Sequence, residues 1–390
     1  MVESLKQIGV VGAGTMGLGI AQVAAQFERV LVYESIESVR FKAQQSLSTK
    51  LNMLVEKGKI SPSSKDEILT HIHWCKDLSE MKHCDLIIEA IREDLQIKKD
   101  LFSTLSDIIS EKCILATNTS SLSITGLAAS VPQPGKFIGI HFFNPAPMMQ
   151  LVEIIPALQT DPSIINLVSE LLRKWGKITV IAKDTPGFIV NKIARPYYSE
   201  ALRIYDEGIA QIGEIDFAMT TLGGFRMGPF RLMDFIGHDV NYAVTEIVWR
   251  ENYFEPRYKP SITQKKLVEA GFLGDKNGKG FYASANKNEN STLNTEIKSI
   301  HIEIFHRIVV MLINEAADTL YYGIASANDI ETAMTKGVNY PKGLLNWANE
   351  LGISFCVETM DKLYDFYKED RYRCSPLLSN MYKSGEIFYV

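Results

Sequence analysis

Cysteine is scarce in this 390-residue chain, and what there is lies scattered. Cys75, Cys84, Cys113, Cys356 and Cys374 include no C-x-x-C pair, a pattern that suits neither a zinc site nor a disulfide framework. No metal is expected from it, and a reducing cytoplasm is the compartment it fits. Positive charge is not in excess either. With 41 Lys and Arg against 46 Asp and Glu, the net charge is −5, which leaves no overall basic footprint for nucleic acid and room only for a local patch. Long apolar runs are missing as well: the most apolar stretches are shorter than about 18 residues or are broken by Gly, Pro or charge, so no membrane span is expected. The opening MVESLKQIGVVGAG enters a strand pattern within a few residues of Met1, leaving no room for a charged region, an apolar region and a cleavage site. No signal or transit peptide is expected.

What is present is an ordinary globular composition, 46% hydrophobic and 22% charged, on a chain long enough for two or three domains. IGVVGAGTMGLGIAQVAAQ reads as strand, tight turn and helix, with Gly12, Gly14 and Gly17 in G-x-G-x-x-G spacing. Gly12 suits the turn, Gly14 lets the backbone approach a pyrophosphate, and Gly17 allows close helix packing. RVLVYE follows as a second strand and ends in Glu34, twenty residues after Gly14, where an acid would bind ribose hydroxyls and repel a 2′-phosphate. NAD is expected as the cofactor. Further apolar runs at 85–90, 113–117 and 137–143 alternate with helical stretches such as 95–109, implying a doubly wound α/β domain of Rossmann type with a parallel sheet. A helix-rich insertion at 41–60, between the second and third strands, carries Lys42, Lys50, Lys57 and Lys59. Ser46, Lys50 and Lys57 on this segment are candidate contacts for a phosphate-bearing substrate arm; the alternative is an ordinary solvated helix face.

GIHFFNPAPMMQLVEII, at 139–155, places a histidine and a carboxylate in two strand-like apolar runs, with Glu153 twelve residues after His141. A lone histidine on an apolar face is more often a satisfied core residue than a catalyst. Here it has company. GAGTMG, NTSSLSI at 118–124, HFFNPAP at 141–147 and DTPGFIVNKI at 184–193 together resemble the L-3-hydroxyacyl-CoA dehydrogenase family, and the likeness extends along the whole chain. The resemblance implies NAD-dependent oxidation of an L-3-hydroxyacyl-CoA to the 3-oxoacyl-CoA. It assigns catalytic roles to Ser120, His141, Glu153 and Asn191, and places Glu93 and Lys98 beside the cofactor's ribose and Asn144 near the nicotinamide. The stretch at 225–245 is similar to the 3-hydroxybutyryl-CoA and 3-hydroxyadipyl-CoA dehydrogenase branch, implying short or dicarboxylic acyl chains, as met in fatty acid β-oxidation and phenylacetate catabolism. The chain departs from the family pattern around the second strand, with Glu28-Arg29 before it and Glu34 at its end where Gly-His and Asp are common. Two other readings share some of these residues. A catalytically silent, crystallin-like relative is opposed by the intact Ser120, His141, Glu153 and Asn191 set. Another two-domain Rossmann dehydrogenase is opposed by HFFNP and DTPGF.

Residues 199–237 and 314–352 align without a gap at an offset of 115, matching Glu200 to Glu315, Gly208 to Gly323, and Ala218-Met219-Thr220 to Ala333-Met334-Thr335. This length of match implies duplication. The expectation is three domains: a nucleotide-binding domain at 1–185 and two tandem all-α domains at 186–283 and 298–390, joined by a polar linker near 283–294. In two-domain members of the family the helical domain forms the dimer interface. The two copies are therefore expected to pair within one chain as a pseudo-dimer, with any further homo-oligomer using another surface. At the same offset Asn191 meets His306, so the second copy lacks the asparagine.

Overall fold

The computed structural model describes residues 5–282 and 296–390; the linker expected near 283–294 lies outside them. The chain divides into two compact units, Met1–Thr185 and Pro186–Val390.

The first unit is built on eight strands: β1 (Gln7–Val11), β2 (Arg29–Tyr33), β3 (Ile72–Cys75), β4 (Leu86–Glu89), β5 (Ile114–Thr117), β6 (Phe137–Phe142), β7 (Leu151–Pro156) and β8 (Ile178–Ile181), in the order 3-2-1-4-5-6-7-8. Helices α1 (Thr15–Ala24), α2 (Glu37–Glu56), α3 (Pro62–His71), α4 (Leu95–Ser106), α5 (Ile124–Ala128) and α6 (Pro162–Lys174) connect them. Ile20 and Val23 of α1, Leu47 and Leu51 of α2, and Val168 and Leu172 of α6 join Ile8, Val10, Val30, Val32, Ile88 and Ile138 in one core. On another part of the sheet Phe102 of α4 meets Phe137 of β6 edge-on, ring centroids 4.8 Å apart. Covered strands of this kind read as continuous apolar runs rather than alternating ones, which is why β1, β4, β5 and β6 were legible.

Two features correct the sequence reading. The run expected as the third strand is β4, because β3 intervenes. IHWC is only four residues with an exposed histidine in its second place, and pairing with β2 rather than its own hydrophobicity makes it a strand. The sheet is also not wholly parallel. β7 runs antiparallel to β6, since the short connection from Phe142 to Leu151 cannot make the long crossover that a parallel neighbour needs.

The second unit is helical: α7 (Val190–Ile193), α8 (Arg195–Asp206), α9 (Ile212–Thr221), α10 (Pro229–Ile236), α11 (His238–Glu251), α12 (Ile262–Glu269), α13 (Ser299–Tyr321), α14 (Ala327–Gly337), α15 (Leu344–Leu351), α16 (Ile353–Tyr367) and α17 (Pro376–Ser384). The spans of α10 and α15 coincide at the 115-residue offset. The glycines that end them share a conformation open to few other residues, Gly237 at φ 98°, ψ 130° and Gly352 at φ 94°, ψ 131°.

Two buried carboxylates tie the early helices to the late ones. Glu200 on α8 accepts from Arg307 Nε at 2.6 Å, Arg371 Nε at 3.1 Å and the Tyr372 hydroxyl at 2.6 Å. Glu315 on α13 pairs with Lys192 at 2.9 Å and Arg257 at 3.1 Å and accepts the Tyr258 hydroxyl. The two arrangements mirror one another. Glu200 and Glu315 are 115 residues apart, as are Lys192 and Arg307, while Arg257-Tyr258 recurs as Arg371-Tyr372 at one residue less. Burial works to raise both carboxyls, and the facing cations overcome it, holding each down to about 2.

Candidate active site

The glycine loop follows β1. Gly12 sits at φ +99°, and a Cβ there would lie 2.7 Å from the Ala90 carbonyl oxygen; at Gly17 it would lie 1.9 Å from the carbonyl oxygen of Gly12. Side chains are excluded at both. A Cβ at Gly14 would meet nothing within 4 Å, so open space lies against the backbone there. Helix α1 begins at the next residue with no side-chain cap and no acid in its first turn, leaving its N–H groups and positive dipole end to an anion. Glu34 reaches this loop, its carboxylate accepting from Ala13 N at 3.0 Å and Ile36 N at 3.2 Å. The departures before β2 are accommodated: Glu28 is buried and pairs with Lys174 at the end of α6.

At the C-terminal ends of the neighbouring strands, polar side chains are fixed in layers. Glu89, at the end of β4, is fully buried; it accepts from Lys98 Nζ at 2.5 Å and Thr117 Oγ1 at 2.7 Å. Lys98 is buried beneath the edge and also faces Glu93 at 3.3 Å. Glu93 in turn accepts the Thr119 hydroxyl, the Ser120 N–H at 3.1 Å and the Ser121 hydroxyl at 3.1 Å. Burial acts to raise the Glu93 carboxyl, but Lys98 and these donors outweigh it and hold it below its usual range. Lys98 thus acts beneath this edge, through Glu93, to position the Ser120 turn. Asn118 Oδ1 accepts the Phe142 N–H at 2.9 Å, joining the end of β5 to the end of β6.

His141 and Glu153 lie directly opposite each other in the antiparallel β6–β7 register. The ring Nδ1 is 2.7 Å from Glu153 Oε2, and both residues are buried. The register answers why a histidine and an acid sit twelve residues apart: the β6–β7 turn folds one onto the other. Asp184 of the DTPGF motif caps α5, accepting from Ile124 N at 3.0 Å and Thr125 N at 2.7 Å. Asn144 is exposed in the β6–β7 turn. Asn191 belongs to the second unit, on α7, just after Gly187 at φ +84° and Phe188 at φ +47°. Ser46 and Lys50 stand one helical turn apart on α2 and Lys57 just past its end; both lysines are exposed.

Glu89, Thr117, Thr119 and Asn118 were not singled out from the sequence. The readable signal was a carboxylate closing the apolar run DLIIEA, since a buried charge requires partners.

A glycine loop opening a helix, an acid closing the second strand, and a carboxylate-backed histidine at the same sheet edge define a nicotinamide-dependent oxidoreductase of the Rossmann class. The chain belongs to the 3-hydroxyacyl-CoA dehydrogenase family: residues 7–185 match the family's NAD-binding domain, and residues 187–284 and 304–388 match its C-terminal domain. It is 34% identical to the 3-hydroxyadipyl-CoA dehydrogenase of Escherichia coli K12, covering 97% of this chain and 98% of that one. It is 42% identical to the probable 3-hydroxybutyryl-CoA dehydrogenase of Deinococcus radiodurans over 71% of this chain and 99% of that one. The crystal structure of 3-hydroxybutyryl-CoA dehydrogenase from E. coli K12 superposes with a TM-score of 0.91 at 34% identity, covering 98% of this chain and 99% of that chain. The enzyme is therefore an NAD-dependent 3-hydroxyacyl-CoA dehydrogenase. No described helix is long and apolar enough to cross a membrane.

Proposed function

We propose that His141 is the general base in the oxidation of a short-chain or dicarboxylic L-3-hydroxyacyl-CoA, such as 3-hydroxybutyryl-CoA or 3-hydroxyadipyl-CoA. The observation that carries this is the 2.7 Å bond from His141 Nδ1 to the buried Glu153. With Nδ1 engaged, Nε2 is the nitrogen through which the ring takes the substrate's hydroxyl proton. Glu153 fixes the tautomer and stabilises the imidazolium that results. NAD, held by the glycine loop and Glu34, would supply the hydride acceptor for carbon 3 of the substrate. Ser120 donates to the developing oxygen at carbon 3, and Asn191 holds the thioester carbonyl. The loop at Gly12, Gly14 and Gly17 and the start of α1 hold the pyrophosphate, and Glu34 the ribose. Glu93 and Asn144 line the rest of the cofactor's path, and Ser46, Lys50 and Lys57 receive the phosphates of CoA. Fatty acid β-oxidation and phenylacetate-type catabolism are the settings such substrates fit, and the cytoplasm is the compartment.

The helical unit is read as two copies of one domain, 186–283 and 298–390, paired within the chain. Support comes from the exchanged partners: each copy's buried glutamate is neutralised by the other copy's two cations and tyrosine, as subunits do across a twofold axis.

Steady-state kinetics over a panel of L-3-hydroxyacyl-CoA thioesters tests the substrate reading. The highest kcat/KM is expected on the four-carbon or the adipyl substrate; a maximum on long-chain thioesters overturns it.

A further inference from the structure

His73, Cys75 and Glu80 form a cluster that the dehydrogenase chemistry does not use. Their ligand atoms all lie within 4.8 Å of one another. His73 and Cys75 are two apart on β3, which places them on one face of a strand that, among the described residues, pairs only with β2 at the sheet edge. Glu80 comes from the short 3-10 helix that follows, Leu78–His83. Its carboxylate is anchored by backbone, Oε1 accepting from Lys76 N at 2.7 Å and Asp77 N at 3.1 Å. That anchoring directs Oε2 at His73 Nε2, 2.7 Å away. The Cys75 thiol is buried at the base of the cluster. Among the described residues it has no hydrogen-bond partner of its own.

We propose that these three side chains form a binding site for a soft divalent cation of the zinc type. One imidazole nitrogen, one thiolate and one carboxylate oxygen make the mixed donor set that zinc prefers over calcium or magnesium, with a fourth position left to water. Tetrahedral zinc with bonds of about 2.0–2.3 Å sets its ligands roughly 3.3–3.7 Å apart. Reaching that spacing means closing the widest gap from at most 4.8 Å and opening His73 Nε2–Glu80 Oε2 from 2.7 Å, movements of about an ångström, and the exposed His73 ring can supply them. On binding, the thiol proton leaves to solvent and the sulfur lone pair forms the bond to the metal. The charged neighbours are Arg40, Lys76 and Asp77, with Glu37 paired to Arg40 at 3.7 Å.

The site's position gives it a consequence for the cofactor end, which rests on Glu34 reading the ribose. Cys75 is in register with Tyr33, the residue before Glu34. Arg40 Nη1 spans the gap, donating to the Glu34 carbonyl and the Cys75 carbonyl, each at 3.4 Å. A dication on Cys75 repels this guanidinium and shifts the backbone that carries Glu34, so metal raises KM for NAD and leaves kcat nearly unchanged.

The test uses the full-length enzyme with zinc chloride or cadmium chloride as the probe. Expected is one equivalent of metal by equilibrium dialysis and a cadmium–thiolate charge-transfer band in the ultraviolet. That band should disappear in Cys75→Ser, and affinity should fall at least about tenfold in His73→Ala. His73 is exposed and outside the core, so His73→Ala separates loss of a ligand from loss of fold and should keep wild-type kinetics without metal. Zinc should raise the wild-type KM for NAD about fivefold or more, and should not do so in His73→Ala. A band that persists in Cys75→Ser, or binding equal in wild type and His73→Ala, overturns the site. An unchanged KM for NAD in the zinc-loaded wild type overturns the coupling. Metal binding is read without turnover, so its failure is distinct from any failure of the dehydrogenase reading.

Discussion

At the scale of single residues, the proposal that His141 is the base backed by Glu153 is the one most open to test. Replacing His141 by Gln is expected to lower kcat by about 10²-fold to 10⁴-fold, the usual range for a positioned base, with NAD affinity little changed. Stopped-flow turnover together with cofactor titration checks both halves, and near-normal turnover would sink the mechanism. Glu153→Gln should also be slow, and the double variant should lose less than the two single losses multiplied, because the residues act as one unit. Glu34 carries a separate expectation. It already lies against the glycine loop, 3.0 Å from Ala13 N, so a 2′-phosphate would be forced onto a carboxylate at a cost of several kcal/mol. NAD should be preferred over NADP by a factor on the order of 10² or more in kcat/KM, and comparable values for the two would contradict the assignment.

At the scale of elements, the β1–α1 turn has almost no tolerance. Because the Cβ of an alanine at position 17 would meet the backbone oxygen of Gly12 at 1.9 Å, the neighbour cannot rotate away as a side chain would. Gly17→Ala should cost about 1–3 kcal/mol of stability and weaken NAD binding, read by thermal melting with and without cofactor; a melting curve and cofactor affinity equal to wild type would show that the turn relaxes. Gly14→Ala separates the two effects. Its Cβ enters open space, so stability should hold while NAD affinity falls, if that space is where the pyrophosphate lies.

At the scale of the whole molecule, the paired buried carboxylates of the helical unit make three predictions. Both are held near 2 against an ordinary value of 4.5. A depressed carboxyl contributes stability that is present above its unfolded value and lost as pH falls through its folded one. The helical unit should therefore lose stability between roughly pH 4.5 and 2, and a circular dichroism acid titration that is flat across this window would contradict the pairing. Glu315→Ala leaves Lys192 buried without its acid, while Arg257 keeps Asp318 at 2.5 Å; the unpaired Lys192 should cost about 3–5 kcal/mol, measurable by denaturant unfolding. Deleting 284–390 strips Glu200 of Arg307, Arg371 and Tyr372. The product should aggregate or form an intermolecular dimer in sedimentation, whereas a soluble, active monomer would show that the second copy is no surrogate partner.

The sequence by itself determined the class of fold, the cofactor and the family. Those depend on local chemistry: glycines where a Cβ cannot fit, apolar runs where both faces are covered, and an acid at a set distance along a strand–helix–strand path. It also marked Ser120, His141, Glu153 and Asn191, through motifs rather than through any visible contact. The tertiary structure alone decided what depends on pairing. β3 is a strand only because β2 offers it hydrogen bonds, and β7 turns antiparallel because its connection is short. Lys98 is buried against Glu89 and Glu93 because β4 ends in a carboxylate that needs a cation. Scanning cysteines for C-x-x-C spacing could not find His73, Cys75 and Glu80, since the third member is brought in by a turn. Nor could the alignment at an offset of 115 reveal that Glu200 is held by Arg307 and Arg371, and Glu315 by Lys192 and Arg257. A burial penalty is shared between groups far apart in sequence, and only the folded chain shows which groups share it.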